Sequence, residues 1–142
     1  MIGSMSTEKT FSVLLDDMDV KQGNCYHRYG IVKESKAGKI SASKTEWLLV
    51  DRNFFNKNEK NLGMQLASKD STGVVSRAII PGGYDRYIGN QRYGSWQETS
   101  GQRTWVFFGQ YMFLRSVFGL GYYPAHYGRY NSYYRWSIRN SY

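Results

Sequence analysis

Few residues in this chain could make or break bonds. Cys25 is the only thiol, His27 and His126 are the only imidazoles, and the carboxylates cluster only at Asp16, Asp17 and Asp19. Cys25 and His27 stand two apart, so on an extended strand both project from one face. That geometry could pair a thiol nucleophile with a base or supply two metal ligands. A Cys–His nucleophile needs a third group to orient the imidazole, and the sequence identifies none. A structural zinc site of four cysteines, or of two cysteines and two histidines, cannot be assembled from one cysteine. The aspartate trio lacks the alternation of an EF-hand loop, because Lys21 and Gln22 interrupt it, and it reads as an acidic turn. Gly82-Gly83 and the later glycines match neither a Walker loop nor GxGxxG. Asp85 and Glu98, the only acids of the second half, read as ion-pair partners for its arginines rather than as an acid/base couple. No catalytic residue, cofactor site or metal ligand is assigned, and no small-molecule substrate is expected.

The chemistry that recurs is non-covalent. Residues 71–142 carry eight arginines and no lysine against two acids, whereas residues 1–70 balance nine lysines and two arginines against nine acids. Most of the formal charge of +8 therefore sits in the second half, all of it on guanidinium groups. Arginine forks onto carboxylate or phosphate and stacks on rings, which a hydrated ammonium does poorly. Four Arg-Tyr dyads occur, at Arg28-Tyr29, Arg86-Tyr87, Arg92-Tyr93 and Arg129-Tyr130, with Tyr134-Arg135-Trp136 as a variant. Their spacing is irregular, so they are not a structural repeat. The candidate interaction surface comprises Arg86, Tyr87, Arg92, Tyr93 and Trp96 on one stretch and Arg129, Tyr130, Tyr134, Arg135 and Trp136 on another. Rings beside guanidinium groups suit protein interfaces, and they also suit stacking on single-stranded nucleic acid.

The elements that must position these residues are read from pattern. The run 10–15, TFSVLL, predicts a strand, and 26–33 with 44–50 predicts a hairpin around the turn residues 35–39. Within 44–50, Trp47 and Leu49 alternate with Leu48 and Val50, which predicts a strand buried on both sides. Asp51 is a plausible N-cap for a helix from about Arg52 to Asn61, and 73–80 predicts a further strand stopped by Pro81-Gly82-Gly83. Residues 84–101 predict a Gly/Tyr/Arg-rich loop. The stretch 104–123, TWVFFGQYMFLRSVFGLGYY, is the densest in large apolar side chains and predicts an aromatic helix over about 104–118, ended by Gly119 and Gly121. It is nearly long enough to span a bilayer, but Arg115 within it opposes insertion by about 2.5–3.5 kcal/mol, so a buried helix is the better reading.

The expected fold class is α+β: a small N-terminal antiparallel sheet packed against one aromatic-rich helix, with an irregular tail over 122–142. Residues 1–9 are expected to be a disordered N-terminus or a cloning remnant, and 10–121 a single domain. A lone cysteine fits a reducing compartment, which makes the cytoplasm the default and the cell envelope the alternative if an export signal preceded residue 1. The expected function is a non-catalytic, basic, aromatic-rich assembly module that docks on a protein or an anionic surface through its Arg-Tyr pairs. A protein partner or self-association leads, with single-stranded nucleic acid and peripheral membrane contact as alternatives. A small enzyme with an unrecognised site is the third class.

Overall fold

The computed structural model describes residues 10–120 and 125–139, with 99 and 136–139 described by backbone alone. The expected tail 1–9 and the residues 121–124 and 140–142 lie outside the described residues. The fold is mixed α+β, with a large antiparallel sheet in the N-terminal half. Contacts divide the chain into two compact units, Met1–Gly82 and Gly83–Tyr142.

The first unit is built on one long hairpin. Strand β1 (Thr10–Lys21) pairs with β2 (Asn24–Glu34) through the two-residue turn Gln22-Gly23, both at positive φ. Such a turn matches the right-handed twist of the strands it joins. Strands β3 (Ile40–Lys44) and β4 (Leu48–Val50) lie in succession along the outer edge of β2, joined at Thr45, whose backbone N–H donates to the Tyr29 carbonyl and whose hydroxyl accepts from the Tyr29 N–H. On the other side β1 pairs with β5 (Met64–Lys69), which in turn pairs with the short β6 (Val75–Ser76) and β7 (Ile80–Pro81). The segment 73–80, expected as one strand, is thus two short strands separated by an irregular stretch. The hairpin expected from 26–33 and 44–50 forms, but its second strand is an edge: Leu49 is 68% exposed rather than buried on both sides.

The acidic trio is not a turn. Asp16, Asp17 and Asp19 all lie within β1, where the register jumps between Leu15 and Asp17 and leaves Asp16 as a bulge. Phe11, Val13 and Leu15 share one face with Tyr29 and Ile31. A strict period of two would carry that face on to Asp17 and Asp19. The extra residue shifts the phase instead, so Met18 rejoins the apolar face and Asp17 is placed opposite Arg28. The bulged Asp16 accepts from Arg28 Nε at 2.7 Å and faces Lys44 Nζ at 3.3 Å.

Helix α1 (Arg52–Lys57) begins where its sequence says it should: the Asp51 carboxylate accepts from the backbone N–H groups of Asn53 and Phe54. It ends at Asn58, earlier than the expected Asn61, because Asn58 turns back to donate to the Phe54 carbonyl and then accepts from Asn61 Nδ2.

In the second unit the expected helix over 104–118 divides. Strands β8 (Gly94–Thr99) and β9 (Gln102–Phe107) form a hairpin across Ser100-Gly101, a second turn with both residues at positive φ. Helical structure begins only with a 3-10 turn at Gly109–Tyr111 and continues as α2 (Phe113–Val117), which stops at Phe118 with Gly119 in the left-handed region. Trp105 and Phe107 are buried while Thr104 and Val106 are half-buried, a period-two pattern that dense apolar content disguises as helix. The loop expected over 84–101 therefore contributes a strand. The tail expected to be irregular over 122–142 instead forms α3 (Tyr127–Arg139), the longest helix among the described residues.

Candidate interaction surface

Helix α3 is held to the hairpin by local polar bonds. The backbone N–H of Trp105 donates to the Ala125 carbonyl, and Thr104 Oγ1 lies 3.1 Å from His126 Nδ1. Tyr127 and Tyr130 then fall against Trp96, at ring-centroid distances of 5.2 and 5.3 Å, and Trp96 also meets Trp105 edge-on at 5.2 Å. Tyr84 joins this group through Tyr130 and Tyr133. A second ring group links Tyr93, Tyr87 and Phe118, with Tyr87 and Tyr93 5.3 Å apart and Tyr87 and Phe118 5.7 Å apart. Pairs of this kind contribute about 0.5–1.5 kcal/mol beyond the area they bury.

This packing decides which predicted residues can meet a partner. Tyr87 and Tyr93 do not: they are 0% and 3% exposed and belong to the ring core, so their expected role as contact residues is corrected. A tyrosine ring is among the largest apolar surfaces in the chain, and the unit has few aliphatic residues with which to build a core instead. Trp96 and Tyr130 are half-buried in the ring cluster, and Arg86 is half-buried. Arg92, Arg129, Tyr134 and Arg135 are exposed. The side chain of Trp136 lies outside the described residues.

Burial raises the hydroxyl pKa of Tyr84 and Tyr130, and it pushes Tyr133 up to about 12, with further contributions from Asp85 and Tyr130. These three hydroxyls stay neutral at physiological pH. Three rings of this unit carry guanidinium groups on their faces. The guanidinium carbon of Arg103 lies 4.0 Å from the Tyr127 centroid, that of Arg92 5.6 Å from Tyr93, and that of Arg129 5.8 Å from Tyr84. None of these arginines, nor Arg115 or Arg135, forms an ion pair with a carboxylate among the described residues.

The closest pair, Arg103 with Tyr127, was invisible in the sequence. Its partners are 24 positions apart and are brought together by the backbone bridge between Thr104 and His126. By contrast the dyad Arg28-Tyr29 is absorbed by the first unit: Arg28 is paired with Asp16 and Asp17 and lies over Trp47, while Tyr29 is in the core.

Cys25 and His27 do project from one buried face, as strand geometry requires, yet the imidazole engages Tyr29. His27 Nδ1 lies 3.0 Å from the Tyr29 hydroxyl, and the ring sits between Phe54 and Phe55 at 5.5 Å from each. Nε2 has no hydrogen-bond partner among the described residues, an arrangement that costs about 1–3 kcal/mol, and burial lowers the pKa of the ring. Among the described residues no three His, Cys, Asp or Glu side chains are grouped to hold a metal ion, and no helix is long and apolar enough to cross a membrane.

No family model matches this chain, and no curated protein or solved structure matches it either, so the geometry of the chain itself is the guide to function.

Proposed function

We propose that the second unit is a non-catalytic interaction module that docks on an acidic protein surface through arginines seated on tyrosine rings. The observation that carries this reading is the set of exposed guanidinium groups, Arg103 foremost, lying on ring faces and in no ion pair with a carboxylate among the described residues. A ring beneath a guanidinium holds its plane while leaving its N–H edge free, so less side-chain freedom is lost when that edge forks onto a partner carboxylate. Arginine and tyrosine are also the residues that most often anchor protein interfaces.

Single-stranded nucleic acid fits less well, because the rings needed as a stacking platform are already engaged with one another: Tyr87 and Tyr93 are buried, and Trp96 contacts three rings. The test is fluorescence anisotropy of the full chain with two labelled probes, poly-glutamate and oligo(dT), across a salt series. Poly-glutamate is expected to bind more tightly, and Arg103→Gln with Arg129→Gln is expected to weaken it at least tenfold without loss of fold. Tighter binding of oligo(dT), with affinity falling log-linearly and steeply with salt, would overturn the proposal in favour of nucleic acid.

A further inference from the structure

The apolar face of the first unit does not close over its whole length. Between α1 on one side and the segment joining β6 to β7 on the other, it encloses a pocket of about 510 Å³, within the size range of small-molecule sites. Its floor is the sheet itself, formed by Val13 and Tyr29 of the central hairpin and by Leu66 and Ala67 of β5. Phe54 and Ile79 form opposing apolar walls, and both are more than two-fifths exposed although they are large hydrophobic side chains.

The polar groups are unevenly placed. Lys57 and Arg77 line the pocket, and among the described residues no acidic side chain does. Neither cation has a carboxylate partner among the described residues, whereas elsewhere in this unit Arg28 and Lys44 are both paired with Asp16. Asn58 and Asn61, also in the lining, are bonded to each other and fix the turn that follows α1. Tyr29 is held against His27, whose Nδ1 lies 3.0 Å from its hydroxyl. An apolar chamber with two unpaired cations and no acid has the complementarity of a molecule that is apolar along its body and anionic at one end.

We infer that this pocket binds an amphipathic carboxylate, with the apolar body on Val13, Leu66 and Ala67 between Phe54 and Ile79, and the carboxylate met by Lys57 and Arg77. The site is independent of the arginine–tyrosine surface of the second unit. It uses a lysine and an arginine rather than stacked guanidinium groups, and its occupant is a small molecule rather than a polymer.

The test uses decanoate as the probe, with decanol as its uncharged counterpart and inorganic phosphate as an anion without an apolar body. Isothermal titration of the full chain is expected to show saturable decanoate binding, with decanol and phosphate each at least tenfold weaker. Arg77→Gln and Lys57→Gln are exposed substitutions outside the packed core, and each is expected to weaken decanoate about tenfold while leaving decanol unchanged. Ala67→Phe, which fills the floor, is expected to abolish binding of both; circular dichroism establishes that each variant is folded. Equal affinity for decanoate and decanol, indifference to both charge substitutions, or no saturable binding of decanoate would each overturn the inference.

Discussion

A Cβ added at Gly89 would lie 2.5 Å from Tyr130 Cε1 and 2.7 Å from its hydroxyl oxygen, distances that require the ring to move. That ring cannot move freely, because it packs on Trp96 at 5.3 Å and on Tyr84 at 6.0 Å. Gly89 also has φ of +83°, where an L-residue with a side chain costs about 1–2 kcal/mol. Overpacking of a ring core adds about 1–3 kcal/mol. Gly89→Ala is therefore expected to destabilise the second unit by about 2–5 kcal/mol. Gly101, in the hairpin turn at φ +78°, has nothing within 4 Å of the added carbon, so Gly101→Ala isolates the backbone contribution at about 1–2 kcal/mol. Urea unfolding followed by near-ultraviolet circular dichroism reads the difference, since three of the four tryptophans belong to this unit. A double-mutant cycle with Tyr130→Ala closes the argument: without the ring, Gly89→Ala should cost only what Gly101→Ala costs. If the two alanine variants are equally stable, or if removing the Tyr130 ring leaves the cost of Gly89→Ala unchanged, the proposed seat of α3 against the 84–93 segment is wrong.

Asp51→Ala should destabilise the first unit by about 1 kcal/mol in urea unfolding, with Asp51→Asn retaining most of the stability, because the cap is a pair of backbone N–H bonds rather than a charge. It should also weaken decanoate, since α1 carries Phe54 and Lys57 into the pocket. The buried His27 predicts an acid-side dependence. Its folded pKa lies below the ordinary value of 6.5, so the unfolded chain binds the proton more readily. Stability should be complete above about pH 6.5 and fall by up to about 1.4 kcal/mol per pH unit below it, and His27→Gln should remove that component of the slope in a pH series of urea titrations.

Local signals were legible where neighbours in sequence are neighbours in space. Asp51 announced its helix through its own carboxylate, and the turn at 35–39 was visible in its small and flexible residues, with Gly38 donating to the Ser35 carbonyl. The stretch 104–118 misled because Trp, Val and Phe at consecutive positions satisfy a helical and an extended reading alike. What decides is β8, whose Gly-Ser-Trp-Gln-Glu-Thr sequence looks like loop until it is paired residue by residue with β9. The dipeptide Ser100-Gly101 was the available cue, as a turn signal between the two runs. The Arg-Tyr dyads were seen, but adjacency in sequence does not say which ring is core. Tyr87 and Tyr93 are buried, while the shortest arginine–ring contact joins residues from different elements. The pocket left no mark at all, since its lining comes from five separated segments and its two cations, Lys57 and Arg77, look like ordinary surface charges.

The bulge at Asp16 makes the central hairpin a counting device. Beyond it, Asp19, Val20 and Lys21 at the end of β1 can change side chains freely, because they bury little. The count before them is fixed in one direction. Removing one residue between Leu15 and Met18 would abolish the bulge and leave Met18 on the apolar face, whereas inserting one beside the bulge would bring an aspartate to the face shared with His27 and turn Met18 outward. The distal end of β1 thus tolerates substitution but resists insertion at the bulge before it, the reverse of what is usual for an exposed, charged segment.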